Sequence, residues 1–563
     1  MKKLINDPRH VVREMLEGMA DMIPGLALLD TENVALRADL PAPDARPIAI
    51  LSGGGAGHEP AHAGYVGPGL LTAAVTGDVF TSPSVDAILS AIRASAGPAG
   101  AILVVKNYTG DRLNFGLAAE IASLEGIPTE IVVVADDVAL AGVVAAERRR
   151  GIAGTVLVHK IAGAAAAAGK PLAEVARLAR AASARLGTMG VALGSCTVPA
   201  AGRPSFSLGD DEIELGLGIH GEKGVERTTL KSADELADRI VATIVGDLGL
   251  RAGDRVALLV NNLGATPPME LAIVSRRALV ALRERGIVVE RAWSGTFLSA
   301  LEMPGCSISA LKLDEGDLAL LDAPAQAQAW PGPGKIPAER AIIAAPATVA
   351  EIFSGASSST RDPEALRAIG LAVADALAAA EPYLTDLDSK AGDGDLGASM
   401  MRGAEAIRAL PLSAWSSPAN ALLATADTLR RAIAGSSGPF YAVALTRAGR
   451  YLDSVRADDA KRFVEAFATG VAAIREIGGA KPGDRTMVDA LDPALRALQS
   501  GSELSARDLW LAAAAAAQTG AEASAAMKPK LGRASYMGDR AIGAPDGGAA
   551  AVAIWLKAIA DSL

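Results

Sequence analysis

Four carboxylates fall within ten residues in Asp386-Leu387-Asp388-Ser389-Lys390-Ala391-Gly392-Asp393-Gly394-Asp395. This is not an EF-hand, because the Asp-x-Asp-x-Asp-Gly spacing and the twelfth-position Glu are missing. Hard oxygen ligands in a glycine loop between helices suit Mg²⁺ holding a polyphosphate. Ile433-Ala434-Gly435-Ser436-Ser437-Gly438 adds a second glycine loop, with hydroxyls and N–H groups able to meet phosphate. No G-x4-G-K-[ST] stretch occurs, so a nucleotide site here is built without a P-loop.

The chain has five histidines, and His58, His62 and His220 stand in glycine-rich loops where a packing role is least natural. Ser52-Gly53-Gly54-Gly55-Ala56-Gly57-His58 directly follows the apolar run ending at Leu51, and Lys106-Asn107-Tyr108-Thr109-Gly110-Asp111 follows the run ending at Val105. In open α/β sheets ligands bind beyond the carboxyl ends of strands, and glycines let them approach the main-chain N–H groups. A His, a Lys and an Asp converging there make a polar site for a small oxygen-rich molecule. Gly216-Leu217-Gly218-Ile219-His220-Gly221 matches the dinucleotide pattern G-x-G-x-x-G. The preceding Asp211-Glu212-Ile213-Glu214-Leu215 is a poor buried strand, so the nucleotide reading is rejected. What remains is a loop displaying His220, followed by Glu222; an unprotonated imidazole there is a nucleophile able to add to a carbonyl.

The elements that must position these loops come in two rhythms. Over the first ~320 residues, near-continuous apolar runs at 48–51, 101–105, 130–134, 155–158, 256–260 and 308–313 read as strands buried on both faces. Helical stretches at 84–94, 112–125 and 171–186 alternate with them, which means an α/β architecture. The gap from about 187 to 253 shows few strand signals and is expected to separate two α/β subdomains. Residues 323–334 have connector composition, and 354–360 is a second loose stretch. Beyond, alanine- and leucine-rich stretches at 362–381, 416–433, 459–477, 505–526 and 548–562 read as helices, since alanine loses no side-chain entropy in a helix. The expected division is 1–330, a linker at 331–360, and an all-helical domain at 361–563.

Composition excludes other classes. With 64 acidic against 54 basic residues and few aromatics, the chain carries a formal charge of −10 over 563 residues and lacks the basic surface of a nucleic-acid binder. Cys196 and Cys306 are its two cysteines, too few for a disulfide scaffold or a CxxC zinc site. They read as buried thiols in a reducing compartment. No run approaches the ~20 apolar residues that span a bilayer, and no hydrophobic stretch follows Lys2-Lys3, so a cytoplasmic location is expected.

SGGGAGHEPAH (52–62), GDVFTSPS (77–84), KNYTGDRLNFGLA (106–118), GTVLVHK (154–160), GIHGE (218–222), LDSKAGDGDLG (387–397), GSSG (435–438), GDRTMVDAL (483–491) and GRASYMGDR (532–540) stand in family order along nearly the whole chain. Together they resemble the single-chain, ATP-dependent dihydroxyacetone (glycerone) kinase family. The resemblance implies an α/β ketone-binding domain in two subdomains, followed by an eight-helix barrel that holds ATP. It implies that His220 forms a covalent hemiaminal with the substrate ketone, and that Asp111 and His58 handle the proton of the attacking hydroxyl. Lys106 and the backbone of Gly55, Ala56 and Gly57 would hold substrate oxygens. Asp388, Asp393 and Asp395 match the carboxylates binding two Mg²⁺ ions. Leu396, Gly397, Ala398, Ser399, Ser436, Ser437, Gly478, Met487, Arg533, Asp546, Gly547 and Gly548 match segments lining the nucleotide. The implied reaction is transfer of the ATP γ-phosphoryl group to dihydroxyacetone by a homodimer. Two departures stand out: Ala56 where many relatives have Ser, and Asp546-Gly547-Gly548 where they commonly read Asp-Pro-Gly.

Overall fold

The computed structural model describes residues 2–344, 362–455, 461–501, 503–532 and 534–563, which fall into two compact units meeting at Ile342/Ile343. In the first unit the apolar runs become two six-stranded sheets. Strands β1 (Leu26–Leu28), β2 (Val34–Arg37), β3 (Ala49–Ala56), β4 (Ala73–Val79), β5 (Ala101–Lys106) and β6 (Thr129–Val134) take the order β1-β2-β4-β3-β5-β6. The last four of that order run parallel, so the carboxyl ends of β3 and β5 lie side by side, with Gly53 in register with Val105. Strands β7 (Leu186–Ala192), β8 (Glu212–Leu215), β9 (Glu226–Thr229), β10 (Arg255–Asn262), β11 (Val288–Gly295) and β12 (Gly305–Lys312) form the second sheet, β11-β10-β12-β7-β8-β9. Only β10 and β11 are parallel there.

Two expectations are corrected. The run at 155–158 is not a strand but opens the helix Thr155–Ala167, in which every residue from Thr155 to Ala166 is buried. It packs in one core with Ile50, Ile102 and Val104 of the first sheet and Ala257, Leu259 and Leu311 of the second. A helix enclosed on all sides has no polar face, so its sequence looks like a doubly buried strand. The 187–253 gap, in turn, contains most of β7 and all of β8 and β9. Glycines disguise β7: a Cβ on Gly187 would press to 2.8 Å from Val138 Cγ1. Charge disguises β8, whose buried Glu214 accepts the Gly224 N–H at 2.6 Å and pairs with Arg227 at 3.2 Å.

The proline- and glycine-rich stretch 323–334 lies against the α/β unit. Gln326 N–H donates to Pro68 O, Ala329 N–H to Gly64 O, and the indole of Trp293 to Gly332 O at 2.8 Å. Of the expected linker, residues up to 344 are described, with Lys335 bridging Arg291 of β11; 345–360, including the loose stretch 354–360, lie outside the described residues.

Among its described residues the second unit is helical throughout, with ten α-helical segments where the resemblance implies eight. Pro363–Ala379, Leu396–Arg408, Pro418–Ala432, Ser437–Ser454, Lys461–Gly478, Val488–Ser500, Ala506–Ala523 and Gly547–Ser562 each pack on the next, and the last closes on the first. The shorter Glu381–Ser389 and Ala534–Met537 are inserted between successive members. Alanine lines much of the interior, as at Ala513, Ala517, Ala549 and Ala553, which permits close helix approach.

Candidate functional site

Beyond the end of β3 the chain turns at Gly57, whose φ of +94° lies in the left-handed region and where a Cβ would meet the Phe80 ring at 2.8 Å. His58 follows, fully buried, with Nδ1 2.8 Å from Ser299 O. A carbonyl only accepts, so Nδ1 carries the proton and donates it. That leaves Nε2 with its lone pair, buried and without a protein partner. Burial first, then the charges of Lys106 and His220, hold the imidazole well below its usual range and therefore neutral. His58 Nε2 is a free base.

Lys106 ends β5 with its ammonium buried and unpartnered. Burial pushes its pKa down, while Asp111 foremost, then Glu222 and Glu59, push it up. Asp111 sits in the first turn of the helix Thr109–Leu124, buried, and accepts a short hydrogen bond from the Ser82 hydroxyl. A Cβ on Gly54 would lie 2.9 Å from Lys106 Nζ and 3.8 Å from Asp111 Oδ2, so the bare glycine leaves room for both groups. At Gly55 a Cβ would fall 2.4 Å from the Thr81 nitrogen.

From the second sheet's loops, His220 reaches the same place. Its ring centroid is 4.9 Å from that of His58, 5.2 Å from Phe80 and 4.7 Å from Tyr108. Its Nδ1 lies 2.9 Å from Glu222 Oε1, and its backbone N–H donates to Oε2 at 3.0 Å. Although burial opposes ionisation, these bonds hold the Glu222 carboxyl at about 2. An anionic acceptor at Nδ1 places the ring proton there and leaves Nε2 with its lone pair. His62, by contrast, leaves this group. Its Nδ1 is 3.0 Å from His159 Nε2 and 3.4 Å from Ser52 Oγ, so it is a core histidine despite its glycine-rich neighbourhood.

In the helical unit the ligand oxygens of Asp388, Asp393 and Asp395 all lie within 4.8 Å of one another. Asp388 comes from the end of Glu381–Ser389 and Asp395 precedes Leu396–Arg408, whose first N–H donates to Asp388 Oδ2 at 3.3 Å. Glycines make the turn possible: a Cβ on Gly392 would strike Asp388 Oδ1 at 2.5 Å, and Gly394 has φ +78°. Asp386, the fourth acid, stands apart in an exposed ion pair with Lys390. Three converging carboxylates form a hard donor set that fits Mg²⁺.

The segments expected to line the nucleotide are mostly helix beginnings. Leu396–Ser399 form the first turn of one helix, Ser436 and Ser437 begin another, Met487 precedes a third, and Asp546–Gly548 begin a fourth, with Asp546 accepting the Ala549 N–H at 2.9 Å. Gly547 meets Leu396 and Gly548 meets Met487, at 2.6 and 3.5 Å from an added Cβ. Gly478 backs onto Phe440, one turn beyond Ser437. Backbone N–H groups at helix starts suit phosphate oxygens. Arg533 lies outside the described residues.

Sequence reasoning missed several contributors. Phe80 and Tyr108 wall the imidazole, and Ser299 fixes the His58 tautomer; the first two stand inside GDVFTSPS and KNYTGDRLNFGLA, which was the available signal, whereas no local pattern marks Ser299. Arg485 is fully buried at φ +59°, donating to Ala541 O and Ala544 O at 2.7 and 3.0 Å and so tying down the segment before Asp546. Its place inside GDRTMVDAL was the available signal.

Pocket and acidic loop, each on its own architecture, define a small-molecule kinase of a two-domain type. Residues 17–329 match the Dak1 domain and residues 390–561 the DAK2 domain. The chain is 41% identical to human triokinase/FMN cyclase over all of its length and 99% of that protein. It is 37% identical to D-erythrulose kinase of Mycolicibacterium smegmatis, covering all of this chain and 98% of that one. The solved dihydroxyacetone kinase of C. freundii, in complex with AMP-PNP and Mg²⁺, superposes with a TM-score of 0.64 at 35% identity, covering both chains fully. The chain belongs to the single-chain dihydroxyacetone kinase family.

Proposed function

We propose that this protein transfers the γ-phosphoryl group of ATP to dihydroxyacetone, yielding dihydroxyacetone phosphate and ADP. The observation that carries the reading is the His220 imidazole, bound through Nδ1 to Glu222 and standing 4.9 Å from His58 with its unpartnered Nε2. Nε2 of His220 bonds to the ketone carbon, and the carbonyl π electrons move to oxygen, which takes up a proton. The alkylated ring balances this by giving up its Nδ1 proton. A carbonyl is thereby required, which excludes glycerol. Lys106 and the glycine-loop amides orient the remaining oxygens. His58 Nε2, with Asp111 alongside, accepts the proton of the hydroxyl as its oxygen bonds to the γ-phosphorus and ADP departs. Asp388, Asp393 and Asp395 would hold two Mg²⁺ ions, which neutralise phosphate charge when bound.

A second reading, a kinase for erythrulose or glyceraldehyde, is favoured by the names of the relatives. A ketone sensor without catalysis sits poorly with three retained metal-binding carboxylates. ATP-dependent turnover across dihydroxyacetone, glyceraldehyde, both erythruloses and glycerol tests the proposal. Preference for dihydroxyacetone supports it, preference for another carbonyl compound supports the second reading, and turnover of glycerol alone would overturn both.

A further inference from the structure

The G-x-G-x-x-G match at 216–221 follows β8 but leads to the antiparallel β9 and not into a helix, so it opens no βαβ unit, yet its glycines have a structural cause. Gly216 and Gly221 have φ of +68° and +81°, and Gly216 O accepts a hydrogen bond from Arg150 Nη2 at 2.7 Å. At Gly218 a Cβ would lie 2.0 Å from Glu222 Oε2 and 2.6 Å from Arg150 Nη1. The carboxylate that holds His220 and the guanidinium therefore converge on one bare glycine. Arg150 is itself fixed from behind. Its Nε and Nη2 lie 2.7 and 2.6 Å from Asp137 Oδ2, on a side chain only 1% exposed. The other Asp137 oxygen accepts the Ala139 N–H at 3.1 Å, and the Asp137 N–H donates to Arg150 O at 3.1 Å.

We infer that Arg150 is a positioning residue for His220, clamping the 216–222 loop and its Glu222 carboxylate so that the imidazole is presented to the carbonyl substrate. This rests on the reading of His220 as the substrate anchor. A planar fork that holds Asp137 and the Gly216 carbonyl at once, with Nη1 left facing the bare Gly218 beside Glu222, is a task a lysine ammonium cannot reproduce. Arg150 touches no reacting atom; it acts through the loop.

The test uses the full chain and dihydroxyacetone, or whichever carbonyl compound of the panel above turns over fastest. Arg150→Gln should raise the KM for that compound about tenfold or more, since small misplacements of a reacting group are costly. KM for MgATP should stay put, and kcat at saturating carbonyl compound should change less than KM. A merely structural role would lower the active fraction, reducing kcat and leaving both KM values alone; that result overturns the inference. Breaking the Arg150–Asp137 pair strands a buried charge, so Arg150→Lys, which keeps a cation beside Asp137 but loses the planar fork, is the second variant. If Arg150→Gln does not fold, the same KM rise in Arg150→Lys decides the matter. Carbonyl-¹³C substrate separates the two ideas by NMR. A wild type without a tetrahedral carbon, alongside raised KM in the variants, removes the adduct but keeps the clamp. A wild type with that carbon, and variants that keep both it and their KM, overturns the clamp.

Discussion

His220 and Glu222 are joined twice, through the ring Nδ1 at 2.9 Å and through the His220 backbone N–H at 3.0 Å, each to a different oxygen of one carboxylate. Ring orientation and tautomer are thus set by a residue two positions away. Glu222→Gln offers one acceptor and one donor instead of two acceptors, so one of the two bonds is lost or inverted. We expect kcat/KM for the carbonyl substrate to fall about tenfold or more in steady-state assays, and about 10²-fold or more in His220→Ala. Near-wild-type turnover in His220→Ala would eliminate the covalent anchor.

Asp111 and His58 flank the reacting hydroxyl in the proposed reaction, but they are held differently. His58 is fixed by Ser299 O, and Asp111 by the Ser82 hydroxyl. Asp111→Asn keeps the pocket's shape and the Ser82 contact while removing charge. It should bind dihydroxyacetone within a few-fold of wild type yet lose about 10²-fold or more in kcat. Calorimetry of ketone binding beside a coupled ADP assay separates the two quantities. Normal turnover in Asp111→Asn would leave His58 as the sole base.

Much of this was legible in the sequence where local chemistry forces the outcome. The loop after Val105 had to fall near a strand end, and Lys106 does end β5; β3, however, runs on past Leu51 through Ser52–Ala56, its second half hidden by glycines, and turns only at Gly57. The helix Thr155–Ala167 was not legible, because burial on every side erases the periodicity that tells helix from strand. Nor was the clamp. Nothing in Arg148-Arg149-Arg150 sets one arginine apart from its neighbours, and only the fold turns Arg150 inward onto Asp137. His62 misled for the opposite reason, since glycine-rich surroundings implied a loop site where the structure has a buried histidine pair.

The acidic loop supports a separable prediction. Its three carboxylates stand within 4.8 Å of one another in the helical unit, while the residues proposed to hold the carbonyl substrate lie in the α/β unit. Asp393→Asn and Asp395→Asn should each abolish measurable ATP-dependent turnover at ordinary Mg²⁺, because neutralising the transferred group is the main catalytic contribution in this chemistry. Ketone binding should be unchanged in both. Full activity in either variant would refute the assigned metal loop.

Acid should destabilise the α/β unit well before its ion pairs are titrated. His58, His62 and His159 are all buried and held neutral, by burial first and the Lys106 charge second, with His159 pushed down to about 3. In the unfolded chain an imidazole titrates near 6.5. Below that pH the unfolded state takes up protons that the folded state refuses, so the stability present above 6.5 is lost as pH falls toward the folded values. Each such histidine contributes a slope of about 1.4 kcal/mol per pH unit. Buried Asp136, Asp137 and Glu59, pushed up by their own desolvation, act in the opposite sense and blunt the net slope. A variant comparison cancels them. His159→Gln keeps a hydrogen-bonding partner for His62 and removes one titrating group. Urea unfolding between pH 6.5 and 5 should therefore show a stability loss in the wild type that exceeds the variant's by about 1 kcal/mol per pH unit, since the unfolded imidazole is only half protonated at the upper end. Equal slopes in the two proteins would mean that His159 takes up its proton in the folded state as readily as in the unfolded one.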